Sequence, residues 1–214
     1  RIGLTEQLLA WLESRADKPQ VLLSGSAVGW YGDGGERELH EDSPPVSEDF
    51  AAQLCGAWEE TALRAEELGI RVVLLRTGLV LAGDGGLLKR LLLPFKLGLG
   101  GPLGDGRQWM PWIHLADQIA LIDFLLQQDS ARGPYNACAP TPERNRAFSQ
   151  ALGHALHRPA FMPAPAFVLR VLLGELSVLL LGGQRAMPAR LQAAGFSFRF
   201  THLDMALADL LGHH

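Results

Sequence analysis

The stretch SGSAVGWYG, Ser24 to Gly32, follows the apolar run VLL and gathers groups that chemistry can use. Ser24 and Ser26 place two hydroxyls at the end of what reads as a buried strand, and the glycines among them let a ligand approach the backbone. Trp30 and Tyr31 add an aromatic edge, with a phenol that could point into the same cleft. Two readings of Ser26 stand side by side: a reactive hydroxyl, or a cap on a backbone group. Arg76-Thr77-Gly78-Leu79 ends a second apolar run, and ligands of open α/β sheets bind at such strand ends. GRQWMPWIHLAD brings Gln108, Trp109, Trp112 and His114 together, rings plus a few polar groups suited to a planar or sugar-like ligand. Tryptophans at alternate strand positions serve a core equally well. His114 beside Asp117 is either a helix-start polar cluster or a proton carrier. Arg185 and Arg190 could clamp a phosphate or carboxylate, or make surface ion pairs. His154 and His157 have helical spacing for a metal but no third ligand, so none is expected.

These groups need elements to position them. Leu4, Leu8, Trp11 and Leu12 recur at helical spacing and predict a helix over 3–15, with QVLLS (20–24) following as a buried strand. A Gly-, Glu- and Pro-rich loop covers 32–46. Ser47-Glu-Asp then opens a helix to about Leu68, and Gly69 closes it. IRVVLLRTGLVL (70–81) is the second buried strand, and the alternation implies parallel pairing with a crossover. Beyond it we expect a helix at 86–94, a glycine-rich loop at 96–106 and a strand at 108–113. A helix at 115–128, a strand at 133–139 and a helix at 143–157 follow. A short strand at 159–163, one or two helices over 165–194, a strand at 196–200 and a helix at 203–211 complete the chain. Two long strands do not make an open sheet. The remaining strands are expected from residues before Arg1, from another chain, or not at all, and a homodimer through the sheet edge is a further expectation.

Of the 214 residues, 48% are hydrophobic and 20% charged, a globular profile, and the formal net charge of −4 argues against nucleic-acid or anionic-membrane partners. Cys55 and Cys138 are too few for a disulfide framework and fit a reducing cytoplasm. AFVLRVLLGELSVLLLGG is interrupted by Arg170 and Glu175, falls short of the about 20 apolar residues of a membrane span, and reads as a buried helix. The chain opens on Arg1, so we expect it to begin inside a longer protein; its closing GHH is native or the stub of a tag.

SGSAVGWYG, LCGAWE (54–59), LLRTGLVL (74–81), LPFKLGLGGPLGDG (93–106), WIHLAD (112–117) and GGQRAMPAR (182–190) together resemble an atypical, extended-like subgroup of the short-chain dehydrogenase/reductases, the NAD-dependent epimerase/dehydratase-like epimerase family proteins. The resemblance spans nearly the whole chain. It implies an α/β fold, the C-terminal part of a Rossmann-type doubly wound parallel sheet in residues 1–82, with a smaller mixed α+β substrate-side region in 83–214 from which the helix at 115–128 and the strand near 133–138 return to the Rossmann part. It implies NADP or NAD as cofactor, its nicotinamide end near Gly25, Ser26, Gly78 and Leu79; with Ser24, Arg76 and Thr77 beside them these are the expected cofactor-binding residues, and Trp30, Gln108, Trp109, Trp112, His114 and Arg185 are the residues expected near a small-molecule substrate. The family's strand–GxxGxxG–helix opening is missing; GLGGPLG (98–104) follows no strand and opens no helix, so it reads as a loop.

Within that resemblance Ser26 matches the catalytic serine, but the YxxxK pair is absent: Cys55 stands at the Tyr position and Glu59 at the Lys position. A lysine one turn from a tyrosine lowers the phenol's pKa, whereas a carboxylate one turn from a thiol raises it unless a cation intervenes. The remaining candidates are Tyr31 as a substitute acid, and Cys55 as a nucleophile or a small buried hydrophobe. The expected function is an NAD(P)-dependent epimerase or oxidoreductase acting on a carbonyl or sugar-like substrate. The alternative is a dinucleotide-binding sensor or partner-binding protein without catalysis.

Overall fold

The computed structural model describes residues 1–46, 49–164 and 182–212. Val72 to Leu75 form an unbroken apolar run with no member more than 2% exposed, the mark of a strand covered on both faces. Among the described residues the main sheet is β1 (Val21–Ala27), β3 (Arg71–Thr77) and β7 (Gly133–Ala137), parallel and in the order β1-β3-β7. Successive side chains alternate between faces. Val72 and Leu74 pack with Leu9 and Leu12 of α1 (Ile2–Glu13) and Ala62 of α2 (Phe50–Leu63). Val73 and Leu75 pack with Leu121 and Leu125 of α4 (Leu115–Gln127). A third cluster lies beyond the sheet, built around Trp112 by α3 (Gly86–Lys96), α5 (Asn145–Ala155) and α7 (Leu203–Leu211). Among the described residues no helix is long and apolar enough to cross a membrane.

Several elements differ from the pattern reading, each for a physical reason. Of the apolar stripe expected on α1, only Leu12 faces the sheet: Leu4, Leu8 and Trp11 are exposed, and Leu9 joins Leu12 in the core. β1 runs on through Gly25, Ser26 and Ala27, because each finds a ladder partner in β3. The expected strand 70–81 divides at Gly78. β4 (Leu79–Leu81) leaves β3 to pair with β6 (Trp112–His114), and a Cβ on Gly78 would collide with the carbonyl oxygen of Pro111. The expected strand 108–113 divides at Pro111, which has no N–H for a ladder. Its first half, β5 (Trp109–Met110), pairs antiparallel with β8 (Glu143–Arg144), so the helix expected from 143 starts at Asn145.

Residues 159–163 form no strand; the Met162 and Ala164 N–H groups instead donate to the Gly100 and Pro102 carbonyls. FSFRF alternates in burial but has no ladder, because the Arg199 and Phe200 N–H groups donate to the Asp117 carboxylate, each at 2.9 Å. The expected helix opening at Ser47 and Glu48 and the apolar helix over 165–181 lie outside the described residues. Asp49 caps α2 through the Ala52 N–H. A 3₁₀ turn, Arg64–Leu68, then ends at Gly69 in the left-handed conformation, φ 78°. Residues 182–188, expected to be helical, hold β9 (Arg185–Ala186), paired with β2 (Glu38–Leu39), before α6 (Ala189–Ala193).

Candidate active site

The parallel register sets Ser26, Arg76 and Asn136 in one row across β1, β3 and β7, one residue short of the strand ends. Three polar residues at that depth need partners, since each unpaired group would lose its hydration. Glu59 of α2 supplies two. Its Oε1 accepts from Ser26 Oγ at 2.6 Å, and its two oxygens accept from Arg76 Nε and Nη2 at 2.9 Å each. The pair is bidentate, with side chains only 4% and 7% exposed. Arg76 Nη1 donates to the Tyr31 hydroxyl and the Glu41 carbonyl, and its guanidinium carbon lies 3.4 Å from the Trp30 ring centroid. Asn136 Nδ2 donates to the Leu39 and Met187 carbonyls. The Glu41 carboxylate accepts from the N–H groups of Asn136 and Arg190. The result is a buried, mutually satisfied network that ties SGSAVGWYG to three strands and α2.

Tyr31 belongs to that network. Its oxygen lies 2.8 Å from Asn136 Oδ1 and 2.9 Å from the His40 carbonyl. Burial raises its pKa from 10.0 to about 12, with Arg76 opposing. Its folded pKa is raised, so its contribution is complete below pH 10 and is lost as pH climbs toward 12, where only the unfolded chain ionises. That difference is worth about 3 kcal/mol. Between pH 10 and 12 the urea midpoint of the wild type should therefore fall more steeply than that of Tyr31→Phe. Parallel curves would show that Tyr31 does not carry the effect.

Past this row a cavity of about 400 Å³ opens at the carboxyl ends of β1 and β3. Its floor is Ala27–Gly29 and Thr77–Leu79; α2 contributes Phe50, Leu54 and Cys55; α3 contributes Leu87, Leu91 and Phe95. Gln108 to Pro111 and Asn145, Phe148 and Ser149 of α5 close the far side, and Asp33 and Asp49 stand on its wall. Of the residues expected at the site, Cys55, Thr77, Gly78, Leu79, Gln108 and Trp109 line this cavity; Ser24, Gly25, Ser26, Trp30, Tyr31, Glu59, Arg76, Trp112, His114 and Arg185 do not. Tyr31 points into the network instead of the cleft, which removes it as a substitute acid. Trp112 is fully buried, its indole N–H donating to the Thr141 carbonyl, so it is core. His114 Nδ1 accepts from the Ala116 N–H to cap α4, the ring stacks on Phe200, and burial lowers its pKa. Arg185 pairs with Glu38 at 2.9 Å at the rim. Gly25 lies under the Trp58 ring, and Ser24 Oγ donates to the Gly25 carbonyl.

Cys55 is buried and free, one turn from Glu59. Burial raises its thiol pKa, Glu59 adds to the rise, and Arg76 opposes it. The thiol is therefore protonated at neutral pH and is no nucleophile. Within 98–104, Gly100 and Gly101 serve packing: a Cβ on Gly100 would enter the Phe95 ring and one on Gly101 the Met162 backbone. The cavity floor suits the nicotinamide half of a dinucleotide, because Ala27, Gly29, Thr77 and Gly78 are small and leave strand-end backbone within reach of a flat ring. Among the described residues no glycine-rich strand-to-helix turn would hold its pyrophosphate.

Asn145, Phe148, Ser149, Leu87 and Leu91 carried no motif, and sequence reading missed them. Asn136 left one trace, an amide inside the otherwise small and apolar strand GPYNACA.

A model of the NAD dependent epimerase/dehydratase family matches residues 1–138, and a domain of unknown function (DUF1731) matches 164–210. An epimerase family protein of Staphylococcus aureus (strain N315) is 40% identical over 211 residues, which cover 99% of this chain and 70% of that protein. The solved structure of human epimerase family protein SDR39U1 (isoform 2) with NADPH superposes with TM-score 0.94 at 34% identity, over 100% of this chain and 72% of that one. A nucleoside-diphosphate sugar epimerase from Corynebacterium glutamicum superposes with TM-score 0.81 at 31% identity, over 100% of this chain and 42% of that one. The fold is Rossmann-like α/β.

Proposed function

Because this chain belongs to the NAD dependent epimerase/dehydratase family, we propose that it forms the nicotinamide and substrate side of an NAD(P)-dependent epimerase or reductase acting on a small carbonyl or sugar-like molecule. The observation that carries this reading is the cavity at the strand ends, floored by small residues and walled by apolar ones. A bound dinucleotide supplies a hydride donor or acceptor. The chain's own residues supply position and a proton. Ser26 gives its proton to Glu59, so its oxygen is left as an acceptor, the wrong polarity for a substrate carbonyl. Asp49 is engaged with the Ala52 N–H and Asp33 with those of Gly35 and Gly183. Cys55 is a cavity-wall group whose thiol keeps its proton at neutral pH, and we assign it the role of proton donor to the substrate oxygen. The two free, buried cysteines suit a reducing compartment such as the cytoplasm.

Calorimetric titration with NADPH and NADH tests the reading; binding of at least one is expected, and binding of neither overturns it. On a panel of carbonyl compounds and nucleotide sugars, Cys55→Ala should lower kcat by about 10²-fold or more, with the dinucleotide Kd unchanged within about twofold. An unchanged kcat removes Cys55 from the chemistry. The engagement of Glu59 by Arg76, where a Tyr–Lys pair would need a free cation, favours a second reading: a dinucleotide-binding sensor. Tight binding without turnover of any panel member would establish it.

A further inference from the structure

We infer that the molecule this cavity takes beside the dinucleotide is an uncharged carbonyl compound with an apolar body, held at one polar atom by Ser149. The inference rests on the proposed function and narrows its substrate class. The end of the cavity away from the strands is walled by Leu87, Leu91 and Phe95 of α3 and by Phe148 of α5. Among the described lining residues there is no Lys, Arg or His, and Asp33 and Asp49 bring negative charge. A diphosphate entering here would lose its hydration against apolar side chains and face two carboxylates. Two arginines against the Trp109 ring pair with carboxylates outside the cavity: Arg185 Nη2 with Glu38 at 2.9 Å and Arg144 with Glu36 at 2.6 Å. A neutral apolar molecule meets none of these penalties.

Ser149 supplies a specific contact. It is 3% exposed, lines the cavity, and has no hydrogen-bond partner among the described residues. Buried hydroxyls are ordinarily paired, so one left open on an apolar wall awaits a polar atom from a ligand. Asn145, one turn earlier on α5, does not compete for that role. Its Oδ1 accepts from the Leu103 N–H at 2.7 Å, and its Nδ2 lies 3.0 Å from Met110 Sδ. Ser149 is thus a positioning and specificity-determining residue, separate from the proton donor.

The test uses three probes on the NADPH-treated wild type and on Ser149→Ala: 2-decalone, its parent hydrocarbon decalin, and UDP. Thermal shift and calorimetry are the readouts, so turnover is not required. 2-Decalone should bind the wild type and raise its Tm, while UDP should do neither. Ser149→Ala should weaken 2-decalone by about threefold to tenfold, the worth of one hydrogen bond, and leave the response to decalin unchanged. Binding of UDP, or no binding of 2-decalone, overturns the substrate class. Equal affinity of Ser149→Ala for 2-decalone overturns the role of Ser149. Failure of the underlying reading shows separately, as the absence of NADPH binding.

Discussion

Arg76→Met should lose about 3–5 kcal/mol of stability, because it strands the Glu59 carboxylate in the interior with only the Ser26 hydroxyl for company. A domain of ordinary stability holds about 5–15 kcal/mol in all, and for a chain of this length the change corresponds to a fall in Tm of about 6–20 °C. The double variant Glu59→Met/Arg76→Met should recover most of the loss, since apolar residues of similar volume replace a buried ion pair at little net cost. Urea unfolding of the wild type and the variants measures this directly. If Arg76→Met unfolds within about 1 kcal/mol of wild type, the bidentate pair does not hold the strand row together. The same geometry explains why Glu59→Lys alone would not rebuild a Tyr–Lys-like site. A lysine there would face the Arg76 guanidinium with no anion between them, and Arg76 has no room to leave because Trp30 and Tyr31 pack on it.

Gly78→Ala should cost about 1–3 kcal/mol and weaken dinucleotide binding at least about tenfold. The new Cβ would strike the Pro111 carbonyl oxygen and press within 3.5 Å of Cys138 Cβ. The obstacle is backbone, so no side chain can rotate away to relieve it. The Leu79 N–H donates to that same carbonyl at 2.7 Å, so easing the clash pulls the β4–β6 pair off the end of β3 and moves Thr77–Leu79, part of the cavity floor. Gly56→Ala is the control. In α2 an added methyl at Gly56 meets nothing within 4 Å, and the helix should gain about 0.5–1 kcal/mol. Calorimetry on both variants is decisive: an NADPH affinity unchanged by Gly78→Ala would remove this turn from the dinucleotide site.

The sequence by itself determined the α/β layering, the family, and the strand-end segments where the cavity opens. Runs such as VVLL and QVLLS become strands for a local reason, too many consecutive apolar side chains to leave on a surface, and VVLL is buried on both faces. The Gly69 helix stop and the loop character of 98–104 were legible on similar grounds, as backbone limits that act within a few residues. Cys55 and Glu59 at the Tyr and Lys positions could be read from the motif, and so could the upward push of the carboxylate on the thiol.

Only the tertiary structure decided what those two residues do. Glu59 is spoken for by Arg76, 17 positions away, and Tyr31 is drawn into the interior by Asn136, 105 positions away. In sequence a buried charge is indistinguishable from a solvated one until its partner is placed, and strand register placed Ser26, Arg76 and Asn136 in one row. The splits at Gly78 and Pro111 and the ladderless alternation of FSFRF have the same origin. Periodicity reports which side chains are buried, but hydrogen-bond partners are chosen by neighbours distant along the chain. Ser149 joined the cavity because α5 packs against α3 and the strand ends, a contact that no spacing within 145–155 encodes.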